Sequence, residues 1–142
     1  MNRYARILVD TGIIVALYDS LDIYHDEVLA FLSSTSGQLV TTVGCVTEAM
    51  WLLSPDWRVQ NNLLLHLSQG VYASEPLLSE DFQRIAELNA QYADLPGDFA
   101  DLSLVSISER LNIAEIATLD KDFDVYRRYR KQPFNRVFYP QN

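Results

Sequence analysis

Short apolar runs and longer stretches of helical period alternate along the chain from end to end. Ile7-Leu8-Val9 closes a run of strand length, residues 5–9, that stops at Asp10-Thr11-Gly12. Residues 38–42, 70–73, 115–118 and 135–138 are further strand-like runs, the third of these containing Ile116 and Ala117. Between them, residues 13–18, 24–33, 46–53, 57–68, 79–92 and 98–111 carry apolar positions at helical spacing. Ser79 is expected to cap the helix it opens, with Glu80 and Asp81 in the first turn where the helix dipole favours anions. Asp94-Leu95-Pro96-Gly97 is expected to break that helix. Strands separated by helices need crossover connections, so the pattern predicts an α/β fold: a mainly parallel sheet of four or five strands flanked by helices on both faces. The 142 residues suit one domain spanning 1–142, without repeats or linkers and large enough to bury its own core.

Composition narrows the function. The net charge is −8, the wrong sign for a protein that simply coats DNA. Carboxylates gathered around cations would inflate the acid count without excluding nucleic acid. The single cysteine, Cys45, cannot form an internal disulfide and is expected to be buried. No apolar run reaches the ~18 residues of a membrane helix. The stretch 7–18 is interrupted by Asp10 and is read as structure rather than as a leader, so a cytoplasmic location without membrane contact is expected.

The acids fall at informative places. In an open parallel sheet, ligands bind beyond the carboxyl ends of the strands. Asp10 ends the first strand and Asp120 follows the fourth. Asp98 and Asp101, spaced i, i+3, share a face at the start of the helix that feeds the fourth strand. Glu48 lies in the helix after the second. Carboxylates brought together repel unless a proton or a cation intervenes. Mg²⁺ and Mn²⁺ prefer such oxygen ligands. There is no Cys/His pattern of the zinc type and no Gly-rich phosphate loop. Taken singly, Asp10, Asp98 and Asp122 could each be no more than a helix cap, and Glu48 a solvated residue.

Four segments together resemble the PIN-domain family, and within it the VapC-like ribonuclease toxins of bacterial toxin–antitoxin pairs. They are Ile7 to Gly12, Thr47-Glu48-Ala49, Leu95 to Asp101, and Ala117 to Phe123, in the family's order across nearly the whole chain. The resemblance implies a single PIN-like domain with an acidic pocket for Mg²⁺ or Mn²⁺. It implies an endoribonuclease cutting structured or loop RNA, tRNA or rRNA, by metal-activated water. It also implies a homodimer neutralised by a small antitoxin protein whose tail fills the active site. Asp10, Glu48, Asp101 and Asp120 match the family's four acids, Asp98 is an extra acid one turn before Asp101, and Asp122 competes with Asp120. The resemblance places Asp10, Asp101, Asp98 and Asp120 on the metal, with Thr11 and Thr118 at positions whose hydroxyls hold an acid or a water.

Other readings compete. Asp-Thr-Gly is also the signature of aspartic proteases, whose β-rich folds disagree with the helical periods here. A catalytically silent PIN-like module binding RNA or protein, and a PIN-fold DNA nuclease, are the alternatives to an endoribonuclease. Arg127, Arg128, Arg130 and Lys131, interleaved with Tyr126 and Tyr129, form the one basic cluster. Cations neutralise phosphates and rings stack on unpaired bases, so the cluster is a candidate RNA contact, or else a solvated turn. His25 and His66 are expected at the surface or in packing, and Trp51 and Trp57 in the core or at a partner interface.

Overall fold

The first apolar run becomes the middle of a parallel sheet. A computed structural model describes residues 2–95 and 97–140, excepting the side chains of residues 2 and 3. Pro96, expected to help break the fifth helix, lies outside them, as do residues 1, 141 and 142. Strand β1 (Asn2–Val9) leads into α1 (Thr11–Tyr18) and α2 (His25–Ser34), then β2 (Thr35–Thr42). Helices α3 (Val43–Leu52) and α4 (Trp57–Ser68) follow, then β3 (Tyr72–Glu75), α5 (Ser79–Gln91), α6 (Phe99–Arg110) and β4 (Glu115–Ala117). A short hairpin, β5 (Arg127–Arg128) and β6 (Gln132–Pro133), precedes the last strand, β7 (Asn135–Arg136).

The strand order is β3-β2-β1-β4-β7, and all four pairings are parallel. Leu8 stands opposite both Val40 and Ile116. Ile7, Leu8 and Val9 have no exposed surface, which is why their run is continuously apolar rather than alternating. The crossovers step outward from β1 through β2 to β3, then return across to β4. The direction of winding therefore reverses between β1 and β4, and a crevice opens at their carboxyl ends.

Helix α6 is buried on every side from Ala100 to Ser108. Its Ser103 and Ser108 hydroxyls donate back to the carbonyls of Ala100 and Val105, at 2.6 Å each, so these polar groups are satisfied without water. Gly44 of α3 lets that helix approach α6: a Cβ there would meet the Ala100 Cα and the Phe99 ring at 3.3 Å.

The helices stand close to their expected places. Two local expectations change. Ser79 is not the cap of α5: the cap residue is Leu78, whose N–H donates to Asp81 Oδ2 at 2.8 Å. Trp51 and Trp57 are not core residues, being 77% and 60% exposed. The β5–β6 hairpin was not expected from the sequence. It forms from the basic cluster itself.

Candidate functional site

Two hydrogen-bonded stitches join the ends of β1 and β4. Asp10 follows β1 in an extended conformation and caps α1, its Oδ1 accepting the Thr11 N–H at 2.7 Å. Its own N–H donates to the Ala117 carbonyl at 3.2 Å. Its Oδ2 accepts the Thr118 hydroxyl at 2.7 Å, and that hydroxyl oxygen accepts the Asp120 N–H at 2.9 Å. One buried threonine thus ties the carboxylate of the first acid to the backbone of the fourth. Asp120 caps a short 3-10 turn, Lys121–Asp124, by accepting the Asp122 N–H at 2.8 Å. Asp98 caps α6, its Oδ1 accepting the Asp101 N–H at 2.8 Å. Asp101 then sits in the first turn, where the positive end of the helix dipole favours an anion.

These three routes converge. Asp10, Asp101 and Asp120 each offer an oxygen within 4.8 Å of the others. Asp10 and Asp101 are buried and Asp120 is half-buried. Burial raises the pKa of Asp10 to about 6, helped by the charges of Asp120 and Asp98 and opposed by its bonds from Thr118 and Thr11. Burial, then the charges of Asp10, Asp98 and Asp120, raises that of Asp101 to about 9. Such repulsion is what a divalent cation relieves, and an all-oxygen donor set suits Mg²⁺ or Mn²⁺. The Thr11 hydroxyl beside the cluster is buried without a hydrogen-bond partner among the described residues. That is a further polar group available to a hydrated ion. The donor set therefore fits the group.

Glu48 and Asp98 stand outside the set of three, on the rim. Asp98 is exposed and Glu48 half-buried. Burial pushes Glu48 above the ordinary carboxylate range, the nearby Thr11 hydroxyl lowers it in part, and Asp98 and Asp120 push it up further. Asp122 contributes its N–H to Asp120 and lies outside the set of three. Glu48 and Asp98 border a groove of about 770 Å³ whose walls include Val43, Trp51, Phe82 and Phe99. The Phe82 and Phe99 rings stack at 6.2 Å.

The basic cluster divides. Arg127 and Arg128 are half-buried and occupied. Arg127 Nη1 donates to the carbonyls of Asp124, Val125 and Tyr126, and Arg128 Nη2 to that of Ser108. Arg130 and Lys131 are exposed. Tyr126, expected as a stacking ring, is fully buried, and its hydroxyl donates to Asp101 Oδ2 at 3.4 Å. Sequence reasoning missed that role, because an aromatic between arginines carries no mark of the helix it will pack against. It also missed Arg136, which donates to the Thr118 carbonyl at 3.1 Å and pairs with Asp124 at 2.9 Å. The histidines lie elsewhere: His66 Nδ1 pairs with the Tyr18 hydroxyl at 2.5 Å, and His25 Nδ1 with the Ala16 carbonyl at 2.7 Å. Cys45 is buried, and burial followed by the Asp10 charge pushes its thiol up to about 12, so it is inert as a nucleophile. Among the described residues no helix is long and apolar enough to cross a membrane.

Comparison with known proteins gives a consistent picture. The family model described as PIN domain matches residues 7–129. The fold is similar to that of VapC20 from Mycobacterium tuberculosis, described as a sarcin-ricin loop cleaving toxin. The TM-score is 0.78 at 18% identity, over 84% of this chain and 93% of that one. It is also similar to VapBC2 from Rickettsia felis, solved bound to a DNA fragment from its promoter. There the TM-score is 0.64 at 14% identity, over 92% of this chain and 98% of that one. No curated protein matches the chain by sequence.

Proposed function

The chain belongs to the PIN domain family, and on that premise we propose that it is a metal-dependent endoribonuclease, the toxin of a toxin–antitoxin pair. The observation that carries this reading is the convergence of Asp10, Asp101 and Asp120, from three distant segments, to within 4.8 Å at the switch point of the sheet. Asp10 and Asp101 would be the principal holders of Mg²⁺ or Mn²⁺, with Asp120 completing the set and Asp98 and Glu48 tuning its rim. When bound, such a cation makes water nucleophilic near neutral pH and offsets charge on phosphodiester oxygens.

The protein's own part is orientation and proton handling. Thr118 and the Thr11 N–H fix the direction of the Asp10 carboxylate. The Asp98 cap and the Tyr126 hydroxyl fix Asp101. Glu48, lifted by burial and by Asp98, is the rim carboxylate suited to take the proton of a water attacking phosphorus. RNA in loops or structured regions, such as tRNA or rRNA, is the expected substrate, in keeping with the loop-cleaving description of VapC20.

The apolar groove beside the acids suits the tail of an antitoxin, its hydrophobic side chains against Trp51 and Phe99 and a basic one toward Asp98 and Glu48. A homodimer and a cytoplasmic location belong to the same reading.

Purified chain freed of partner, incubated with total tRNA and rRNA in Mg²⁺ or Mn²⁺, should yield discrete fragments. EDTA and Asp101→Asn should each abolish them. Intact RNA together with no measurable Mn²⁺ binding would replace this reading with that of a silent binding module, and cleavage of DNA alone with that of a DNA nuclease.

A further inference from the structure

A protein of net charge −8 carries a cavity whose lining is predominantly cationic. It measures about 370 Å³ and is bordered by Arg84, Arg127, Arg128, Arg130 and Lys131, against the two carboxylates Glu87 and Glu109. Those carboxylates are already engaged by Arg84, which binds Glu109 through Nε at 2.8 Å and Nη2 at 3.0 Å and approaches Glu87 at 3.6 Å. Arg127 and Arg128 spend their donors mainly on carbonyls and brace the hairpin. Arg130 and Lys131 have no hydrogen bond or ion pair among the described residues. The Arg130 guanidinium lies over the Tyr129 ring at 5.4 Å. Neither charge is paired with a carboxylate among the described residues.

The backbone at these two residues is also unusual. Arg130 and Lys131 have φ of 60° and 63°. Left-handed backbone costs a branched-free L residue of order 1 kcal/mol and is relieved by glycine. Two consecutive long cations therefore occupy a turn where stability alone would favour Gly or Asn.

The hairpin is coupled to the acids through two packed tyrosines, one buried and one half-buried. Tyr126, immediately before it, donates to Asp101, and Tyr92, packed edge-on against Tyr126 at 5.1 Å, accepts the Arg127 N–H at 2.8 Å. Arg128 meets α6 at Ser108, seven residues beyond Asp101, or about 10 Å at ~1.5 Å per residue.

We infer that the β5–β6 hairpin is a backbone-phosphate site for the substrate strand, away from the bond that is cut, in which Arg130 and Lys131 make the contact and Arg127 and Arg128 hold the turn. This rests on the nuclease reading above and deepens it. It makes substrate length, rather than base identity, what the hairpin senses, because phosphate contacts position a strand without reading its sequence.

The test uses the full chain with Asp10→Asn as the uncut parent. Binding of fluorescein-labelled single-stranded RNA, and of DNA of the same sequence, is followed by anisotropy across a salt series. Arg130→Gly with Lys131→Gly removes both charges and relaxes the turn. Arg130→Gln with Lys131→Gln removes the charges and keeps the strain. Both pairs should lower the slope of log affinity against log salt by about 1.4, and so weaken binding roughly twenty-fold at about 0.1 M salt. The melting temperature should rise or hold in the glycine pair. Equal losses on RNA and DNA are expected of a phosphate contact. An unchanged slope in both pairs, with the parent still binding RNA, overturns this inference and leaves the nuclease reading intact, as does a loss confined to RNA. A parent that binds neither strand, with wild-type protein that cuts neither, overturns both.

Discussion

A carboxylate buried beside two others persists in a fold only if it is protonated or met by a cation. Asp10 and Asp101 are in that position, with pKa values raised to about 6 and about 9 from an ordinary 3.8. Between pH 3.8 and those values the folded chain holds more protons than the unfolded one. Their contribution to stability is therefore complete below the ordinary value and is lost as pH rises toward 9. In EDTA the melting temperature should fall as pH rises from about 5 to about 9, and Asp101→Asn should flatten the decline. A melting temperature that does not change across that window would show that burial and the neighbouring charges do not hold these two acids above their ordinary range. Thr118 works at the same scale. Its hydroxyl donates to Asp10 and accepts from Asp120, and valine of the same shape does neither. Thr118→Val should weaken Mn²⁺ binding about 10–100-fold in titration calorimetry, the usual cost of removing a group that orients a ligand. Unaltered affinity would mean that the hydroxyl does not aim the carboxylate.

Helices α5 and α6 hold the third acid in place, and their contact depends on a buried polar pair. Asp81 Oδ1 accepts the Ser106 hydroxyl at 2.8 Å, and its Oδ2 accepts the Leu78 N–H at 2.8 Å and Arg110 Nε at 3.0 Å. Arg110 continues to Glu75 at 3.0 Å and to the Pro76 carbonyl, tying the end of α6 to the end of β3. Burial pushes Asp81 up, but the Leu78 N–H, Ser106 and Arg110 together outweigh it, so its pKa lies below the ordinary value. A depressed acid stabilises the fold above its unfolded pKa, and that stability is lost as pH falls through the folded one. Asp81→Asn keeps the shape but turns one acceptor into a donor, and should cost about 2 kcal/mol in urea unfolding near neutral pH. The difference from wild type should shrink below about pH 4. An undiminished difference there would place the effect in packing instead.

For the whole molecule, the five acids of the candidate site come from the junction of β1 and α1, α3, the start of α6 and the turn after β4, so a cation there would cross-link most of the fold. Anything that binds only the folded form stabilises it by mass action, about 2.7 kcal/mol at a hundredfold excess over Kd. Saturating Mn²⁺ should raise the melting temperature of the wild type and leave that of Asp101→Asn nearly where EDTA leaves it. Equal shifts in both proteins would locate the cation elsewhere.

Local pattern was enough to read the sheet-and-helix alternation. The apolar run 5–9, the helical spacing of 57–68 and the breakers between them are properties of neighbouring residues, and burial of one face imposes them wherever they occur. The acids at strand ends were legible for the same reason: a parallel sheet directs all its carboxyl ends to one side. Spacing alone did not show which acids meet, since Asp10 and Thr118 touch across 108 positions and no periodicity spans that distance; the family resemblance named Asp10, Asp101 and Asp120, and Asp98 with them. Tertiary packing bears out Asp120 over its competitor Asp122, and it alone put Glu48 and Asp98 on the rim, buried Tyr126 against Asp101, and divided four neighbouring cations into two that brace a turn and two that face solvent. A side chain's identity states what it can bind, and only the packed chain decides what is near enough to be bound.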